Sequence, residues 1–277
     1  MTGTGTQADP FVPITLTEFI EAVGTSGAYV ELDRDIYAAE DPAYTGELHS
    51  TISWAAADVD GRGHSLIGVT MVQATFFLTS RAGTLRNFTF QNCALKKGTS
   101  NVVIFDGSGG VLSVSDCKLG FKVDGSSGST AYLVYNISCT DCAISVEFTG
   151  DSTATANTDA ILDHSTFLRC TIMICGLRTS RRVRLLQWQS SCVRSAIILD
   201  TISVSYLDIA YNSTSYQYSY VAFIGTTSGS IACGLAATTS IVAADSEVGI
   251  STASGWTRAT IEQIKDKAWL ASVGFLP

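Results

Sequence analysis

The side chains that could do chemistry in this chain are few and scattered. Asp58-Val-Asp60-Gly61 has the alternating carboxylates of a hard-cation loop. Calcium takes about six to eight oxygen ligands, however, and no later glutamate completes the set. Asp60-Gly61 is equally a turn dipeptide. Asp159, Asp163 and His164 form the densest acid/base group. If Leu162 points inward, strand alternation sends Asp163 outward and His164 inward, which separates the two. Three histidines (His49, His64, His164) without a Cys/His spacing pattern argue against zinc. Neither a phosphate-binding glycine loop nor a nucleophile elbow is present. These residues give no catalytic constellation, no metal and no cofactor, and they lean away from an enzyme.

Binding chemistry is better represented. Tyr206, Tyr211, Tyr216, Tyr218 and Tyr220 crowd one stretch, and Tyr216-Gln-Tyr218-Ser-Tyr220 alternates strictly. On a strand those last three rings would line one face. A phenol suits sugar stacking and protein interfaces, although a cross-strand tyrosine stack that merely shields the core explains it too. Arg178, Arg181 and Arg182 lie in the one basic run, RTSRRVR over 178–184. A solvated turn between strands accounts for such a run. An anionic glycan, a lipid headgroup or an acidic partner chain is the alternative.

The elements that must carry these residues follow from a repeat. Cys93, Cys117, Cys142, Cys170 and Cys192 are separated by 24, 25, 28 and 22 residues. Three positions before the first four stand Phe90, Val114, Cys139 and Phe167, and two positions after them Leu95, Leu119, Ile144 and Ile172. Residues two apart share a strand face, so the three-residue step requires a bend between the apolar pairs. The residues just before the cysteines are Asn92, Asp116, Asp141, Arg169 and Ser191, and Asn and Asp tolerate the left-handed backbone of such a bend. Strand, bend, strand and variable loop, stacked at this period, describe a β-solenoid with its cysteines in a buried ladder. The fifth unit fits poorly, with Gln189 and Arg194 where apolar residues are expected.

Solenoid ends expose strand edges and need covering. Leu16, Phe19, Ile20 and Val23 have helical spacing ending at Gly24, and AYVELDRDI reads as a following strand. Near the other end, Thr260-Ile-Glu-Gln263 is a capping-box signature, continued by Ile261, Ile264, Ala268 and Leu270 as an amphipathic helix. The expected organisation is an N-terminal arm with a capping helix and strand over 1–50, a parallel β-helix over 51–255, and a C-terminal helix and tail over 256–277.

At this point the chain resembles pectate-lyase-like right-handed parallel β-helix proteins. The likeness lies in GTGTQADPF, TLTEFIEAVGTSGAYVELDRDI and DVDGRGHSLIGV, and it extends over roughly residues 1 to 175. It implies the first coils of β-helix proteins from bacterial surfaces and from bacteriophage tails and virions. That fold hosts lyases, hydrolases, adhesins and inert parts alike, so function rests on the site.

Bulk composition narrows the classes. Hydrophobic residues make up 46% and charged residues 15% of the 277, against about 25% charged in typical globular chains. So few charges imply apolar surface covered by copies of the chain or by a partner. No apolar run reaches the roughly 20 residues of a spanning helix, so membrane insertion is not expected. A net charge of −8 makes nucleic acid an unsuitable partner. The opening MTGTGTQADP has no basic and apolar leader pattern, and cysteines in a ladder fit a reducing cytoplasm.

Taken together, the sequence leads to an all-β, right-handed parallel β-helix acting as a non-enzymatic structural or host-recognition component of a bacteriophage virion: a tail spike or fibre, neck or capsid-surface protein. Its expected partners are itself (a homo-oligomer, a trimer by analogy), other virion proteins and a bacterial surface glycan. A polysaccharide-degrading lyase or glycoside hydrolase, and a secreted adhesin at the bacterial surface, are the alternatives.

Overall fold

A computed structural model describes the chain except for 73–74, 97–102, 125–133, 150–159, 201, 211–213, 226–229, 234–236, 238, 245–249, 253 and 274–277. The chain winds as a right-handed parallel β-solenoid. Among the described residues the coils stack into three parallel sheets of 8, 11 and 9 strands, here the first, second and third in the order the chain visits them. One coil shows the plan. Gly83–Arg86 lies in the first sheet, Thr89–Leu95 in the second and Val103–Asp106 in the third.

Alternation then sorts the side chains. In Leu112–Ser115 and Ile137–Thr140 every second residue is buried, so Val30, Val59, Leu85, Val114, Cys139, Phe167, Cys192 and Tyr216 stack as one inward column of the first sheet. Phe19, Phe76, Phe77, Phe88, Phe90, Phe105 and Phe121 fill the core of the early coils. Phe77 and Phe105 stack at 5.3 Å between centroids.

The corner between the first and second sheets is a single residue in the left-handed region. Asn87, Asp116, Asp141, Arg169, Arg194, Tyr218 and Thr239 occupy it on successive coils with φ between 42° and 55°. Asn and Asp hold that conformation at little cost, while the arginines, tyrosine and threonine are held there by their neighbours. The amides of Asp116, Asp141, Arg169 and Arg194 each donate to a carbonyl of the following coil. The turn is thereby stacked as regularly as the strands.

This corner corrects the cysteine ladder at both ends. Lys118 pairs with Ala143 and Ala143 with Thr171, which puts Cys117, Cys142 and Cys170 on consecutive rungs just inside the bend. Cys93 is not on that column: it pairs with Phe121, and Phe88 stands at the ladder position. Asn92, with φ 53°, makes a bulge within a strand rather than the corner. Cys192 pairs with Phe167 one strand earlier in the coil. The column continues through Ser195, Ser219 and Ser240, because Ala196 pairs with Thr171, Tyr220 with Ala196 and Ile241 with Tyr220. A buried hydroxyl replaces the thiol, and its Oγ accepts the amide of the residue one rung before it: Cys170 to Ser195 at 3.0 Å, Ser195 to Ser219 at 3.1 Å, Ser219 to Ser240 at 3.4 Å. All eight cysteines are free, and seven are buried.

The ends are covered by different means. Helix α1, Leu16–Gly24, is capped by Thr15, whose hydroxyl accepts the Glu18 amide. It buries Leu16, Phe19, Ala22 and Val23, and Phe19 stacks on Phe88 at 5.7 Å. At the C-terminal end the capping box on Thr260 and Gln263 is formed. The expected continuous helix is interrupted: α2, Ile261–Lys265, ends at Asp266, whose carboxylate caps α3, Lys267–Ser272. Ile261 packs on Ala222 and Ala243, with Tyr220 and Ile264 alongside. Alanines on the outward side of the second sheet let α2 lie against it.

Candidate functional site: a cleft between the N-terminal arm and the first coils

The N-terminal arm folds back on the first strand of the first sheet. Phe11 donates to the Tyr29 carbonyl at 2.8 Å and accepts from Glu31 at 2.9 Å, while Tyr29 donates to Gly5 at 3.0 Å. Gly5 has φ +75°, and a Cβ there would stand 2.5 Å from the Phe11 ring, so the arm needs glycine to close. Between arm and sheet lies a cleft of about 450 Å³ lined by Gln7, Pro10, Tyr29, Glu31, Asp58, Asp60, Thr84 and Arg86.

Three outward triplets build its floor. Tyr29-Val-Glu31, Asp58-Val-Asp60 and Thr84-Leu-Arg86 pair in register. Tyr29, Asp58 and Thr84 form one column; Glu31, Asp60 and Arg86 form the next. Thr84 donates to Asp58 at 2.8 Å. Asp60 accepts from Arg86 Nε at 2.9 Å, from Asn87 at 3.1 Å and from the Arg62 amide at 2.9 Å. Glu31 pairs with Arg62 at 3.0 Å. Burial pushes the Asp60 carboxyl up, but the Arg62 amide, the Asn87 amide and the Arg86 guanidinium outweigh it and hold Asp60 below the usual carboxylate range. Asp60 is therefore an ionised acceptor, unsuited to general acid catalysis near neutral pH. A second hollow of about 510 Å³ lies on the same side, lined by Arg62, Gly63, Asn87, Phe88, Thr89, Asp116 and Lys118. Fixed carboxylates beside guanidinium forks can accept from and donate to a ligand rich in hydroxyl groups.

Asp58-Val-Asp60 is thus a strand with engaged carboxylates, and no group of three or more potential ligands suited to a metal ion occurs among the described residues. The tyrosines do not share a face. Tyr216 is in the core, its hydroxyl donating to the Ile209 carbonyl at 2.8 Å. Tyr218 is the left-handed corner residue, 42% exposed, and Tyr220 begins the next sheet beside α2. The corner between them breaks the alternation on which the expectation rested. Tyr206 lies half-buried on the strand Ser203–Ala210 of the third sheet, and Tyr211 is outside the described residues. The basic run is not a turn but part of the strand Arg178–Gln187, with an irregularity between Thr179 and Arg182. Arg178 is exposed; Arg181 and Arg182 are described by backbone alone.

Asp163 and His164, expected on opposite faces, meet: His164 Nδ1 is 3.0 Å from the Asp163 carboxylate. His164 has φ 49°, which swings its ring back out of the alternation, and it packs on Tyr135 at 5.2 Å. Burial raises the Asp163 carboxyl above its usual range, opposed by His164. Asp159 is outside the described residues.

No family model matches the chain, and no curated protein matches it. Among solved structures it is similar to a "putative immunoglobulin A1 protease" from Bacteroides ovatus. The TM-score is 0.44 and the identity 13%, over 98% of this chain and 89% of that one. A likeness so distant carries nothing about activity.

Proposed function

We propose that this chain is a structural or host-recognition component of a bacteriophage virion, a non-enzymatic rod working as a homo-oligomer, with a trimer as the assembly to test. The observation that carries the non-catalytic part is the state of the cleft: Asp58, Asp60 and Glu31 are each engaged by a neighbouring residue, and Asp60 is held ionised. Such a surface holds a ligand rather than transferring protons to it. A neutral bacterial surface glycan fits its mixture of acceptors and donors. The low charge content and the family resemblance support the virion setting, and other virion proteins are the remaining partners.

One observation favours a second, hydrolytic reading: the Asp163–His164 pair, with its raised carboxyl. The test is to raise antibody to the chain and label particles released by lysis of the source bacterium, viewed by electron microscopy. Label on particles is expected. Label confined to the bacterial envelope, or protein found only free in the medium, overturns the virion reading in favour of an adhesin or a secreted enzyme.

A further inference from the structure

The densest sulfur chemistry lies inside the solenoid, away from the cleft. Cys117, Cys142 and Cys170 occupy consecutive rungs. Strands in register lie about 4.8 Å apart, within the roughly 4.4–6.8 Å between Cα atoms that disulfides span. Cys139 approaches from the other side of the corner, at the end of Ile137–Thr140, with left-handed Asp141 turning the chain toward Cys142. The thiols of the column donate to backbone carbonyls two residues back: Cys117 to Ser115 at 3.1 Å, Cys142 to Thr140 at 3.2 Å and Cys170 to Leu168 at 3.4 Å. All four residues are 1–3% exposed.

Cys142 is the middle rung: Cys117 and Cys170 are each one rung from it but two rungs, about 9.6 Å, from each other. That separation is beyond the reach of a disulfide, so a bond along the column uses Cys142. Once it is used, the remaining cysteine of the column has no neighbouring thiol on an adjacent rung. We infer that Cys142 is the centre of an oxidisable thiol cluster that takes up a single disulfide, tying one corner or two adjacent coils together covalently.

Hydrogen peroxide suffices as the oxidant. The Cys142 sulfur attacks one peroxide oxygen, the O–O bond breaks, and hydroxide leaves with the thiol proton as water. A neighbouring thiol then attacks the resulting sulfenic sulfur, the S–O bond breaks, and a second water departs. Two thiols lose two electrons and peroxide becomes two waters. Cys142 stands on the middle rung, with Cys117 and Cys170 one rung to either side, so a sulfenic acid formed there has a thiol within reach in both directions. The inference does not depend on what the cleft binds or where the protein resides.

The column supplies its own control substitution, because serine stands at the same position in Ser195, Ser219 and Ser240. The experiment treats the reduced, folded protein with a small excess of hydrogen peroxide, removes it with catalase, then denatures, alkylates and weighs the chain. The eight alkylatable thiols are expected to fall by two and stop there, with peptide mapping placing Cys142 in the disulfide. Cys142→Ser should lose none, while Cys117→Ser and Cys170→Ser should each still lose two. Far-UV circular dichroism matching the parent confirms that the variants are folded. Retention of all eight thiols in the parent, a disulfide without Cys142, or loss of two thiols from folded Cys142→Ser overturns the inference.

Discussion

Replacing Ser195 by alanine tests whether the buried hydroxyl column holds the later coils together. Ser195 is 3% exposed. Its Oγ accepts the Cys170 amide at 3.0 Å and lies 3.1 Å from the Phe167 carbonyl and 3.0 Å from the Val193 carbonyl, either of which can take its proton. Alanine removes one small atom, so the cavity cost is minor and the hydrogen bonds decide the outcome. The Cys170 amide is left buried without an acceptor, a penalty of about 1–3 kcal/mol, giving a central expectation of about 2 kcal/mol. For a chain of this size that corresponds to roughly 4–8 °C in Tm. Urea unfolding followed by far-UV circular dichroism, with a calorimetric scan alongside, reads both quantities. Ser113→Ala is the control, since Ser113 is exposed on the outer face of the first sheet, and it should stay within about 0.5 kcal/mol of the parent. If Ser195→Ala falls in the same band, the column is decoration and the argument from amide satisfaction is wrong.

Two carboxylates should respond to pH in opposite directions. Asp41, 4% exposed, accepts the amides of Thr17 at 2.5 Å and Ala43 at 2.8 Å. Burial pushes its carboxyl up, but these hydrogen bonds outweigh burial and leave it lowered. Its stabilisation is therefore present above the unfolded value of about 3.9 and is lost as pH falls through the lower folded value. Asp41→Asn should cost about 1.5 kcal/mol at pH 7, with the gap to the parent closing in acid; a gap independent of pH in urea melts would contradict this. Asp163 has the reverse sign. Its folded value is raised by burial, so the stabilisation belongs to the protonated form and is lost as pH rises through that value. Asp163→Asn should be more stable than the parent at pH 7 and equal to it in acid, and a less stable variant at pH 7 would show that the His164 contact outweighs desolvation.

The architecture was legible because inward positions of a solenoid pack on their own equivalents one coil away. Val114, Cys139 and Phe167 occur at fixed phase for that reason, and the phase identified strand, bend and strand before any coordinates. Errors arose where different chemistry satisfies the same position. Phe88 stands where Cys117 stands, and Ser195 where Cys170 stands. Following cysteine identity therefore slipped the frame onto Cys93 and Cys192. Asn92 deepened the first slip, since a bulge and a corner share the left-handed conformation. The tyrosines failed through the same corner, which divides Tyr216-Gln-Tyr218-Ser-Tyr220 between core, turn and the next sheet.

The cleft was invisible for a different reason. Outward residues do not pack on their equivalents, so nothing makes Glu31, Asp60 and Arg86 resemble one another, although they are neighbours on successive coils. The signal was nevertheless present once the coils are aligned by their inward column. Val30, Val59 and Leu85 are its rungs, and the residues flanking them are Tyr29 and Glu31, Asp58 and Asp60, Thr84 and Arg86. Taken alone, Asp58-Val-Asp60-Gly61 is a weak cation loop or a turn. Taken as the middle of three stacked triplets, its charges have partners on the next coil, Thr84, Arg86 and Asn87, and in its own turn at Arg62, which accounts for the ionised Asp60 and for a surface of fixed donors and acceptors. In a solenoid the inward residues give the register, and the register in turn shows which outward residues make a site.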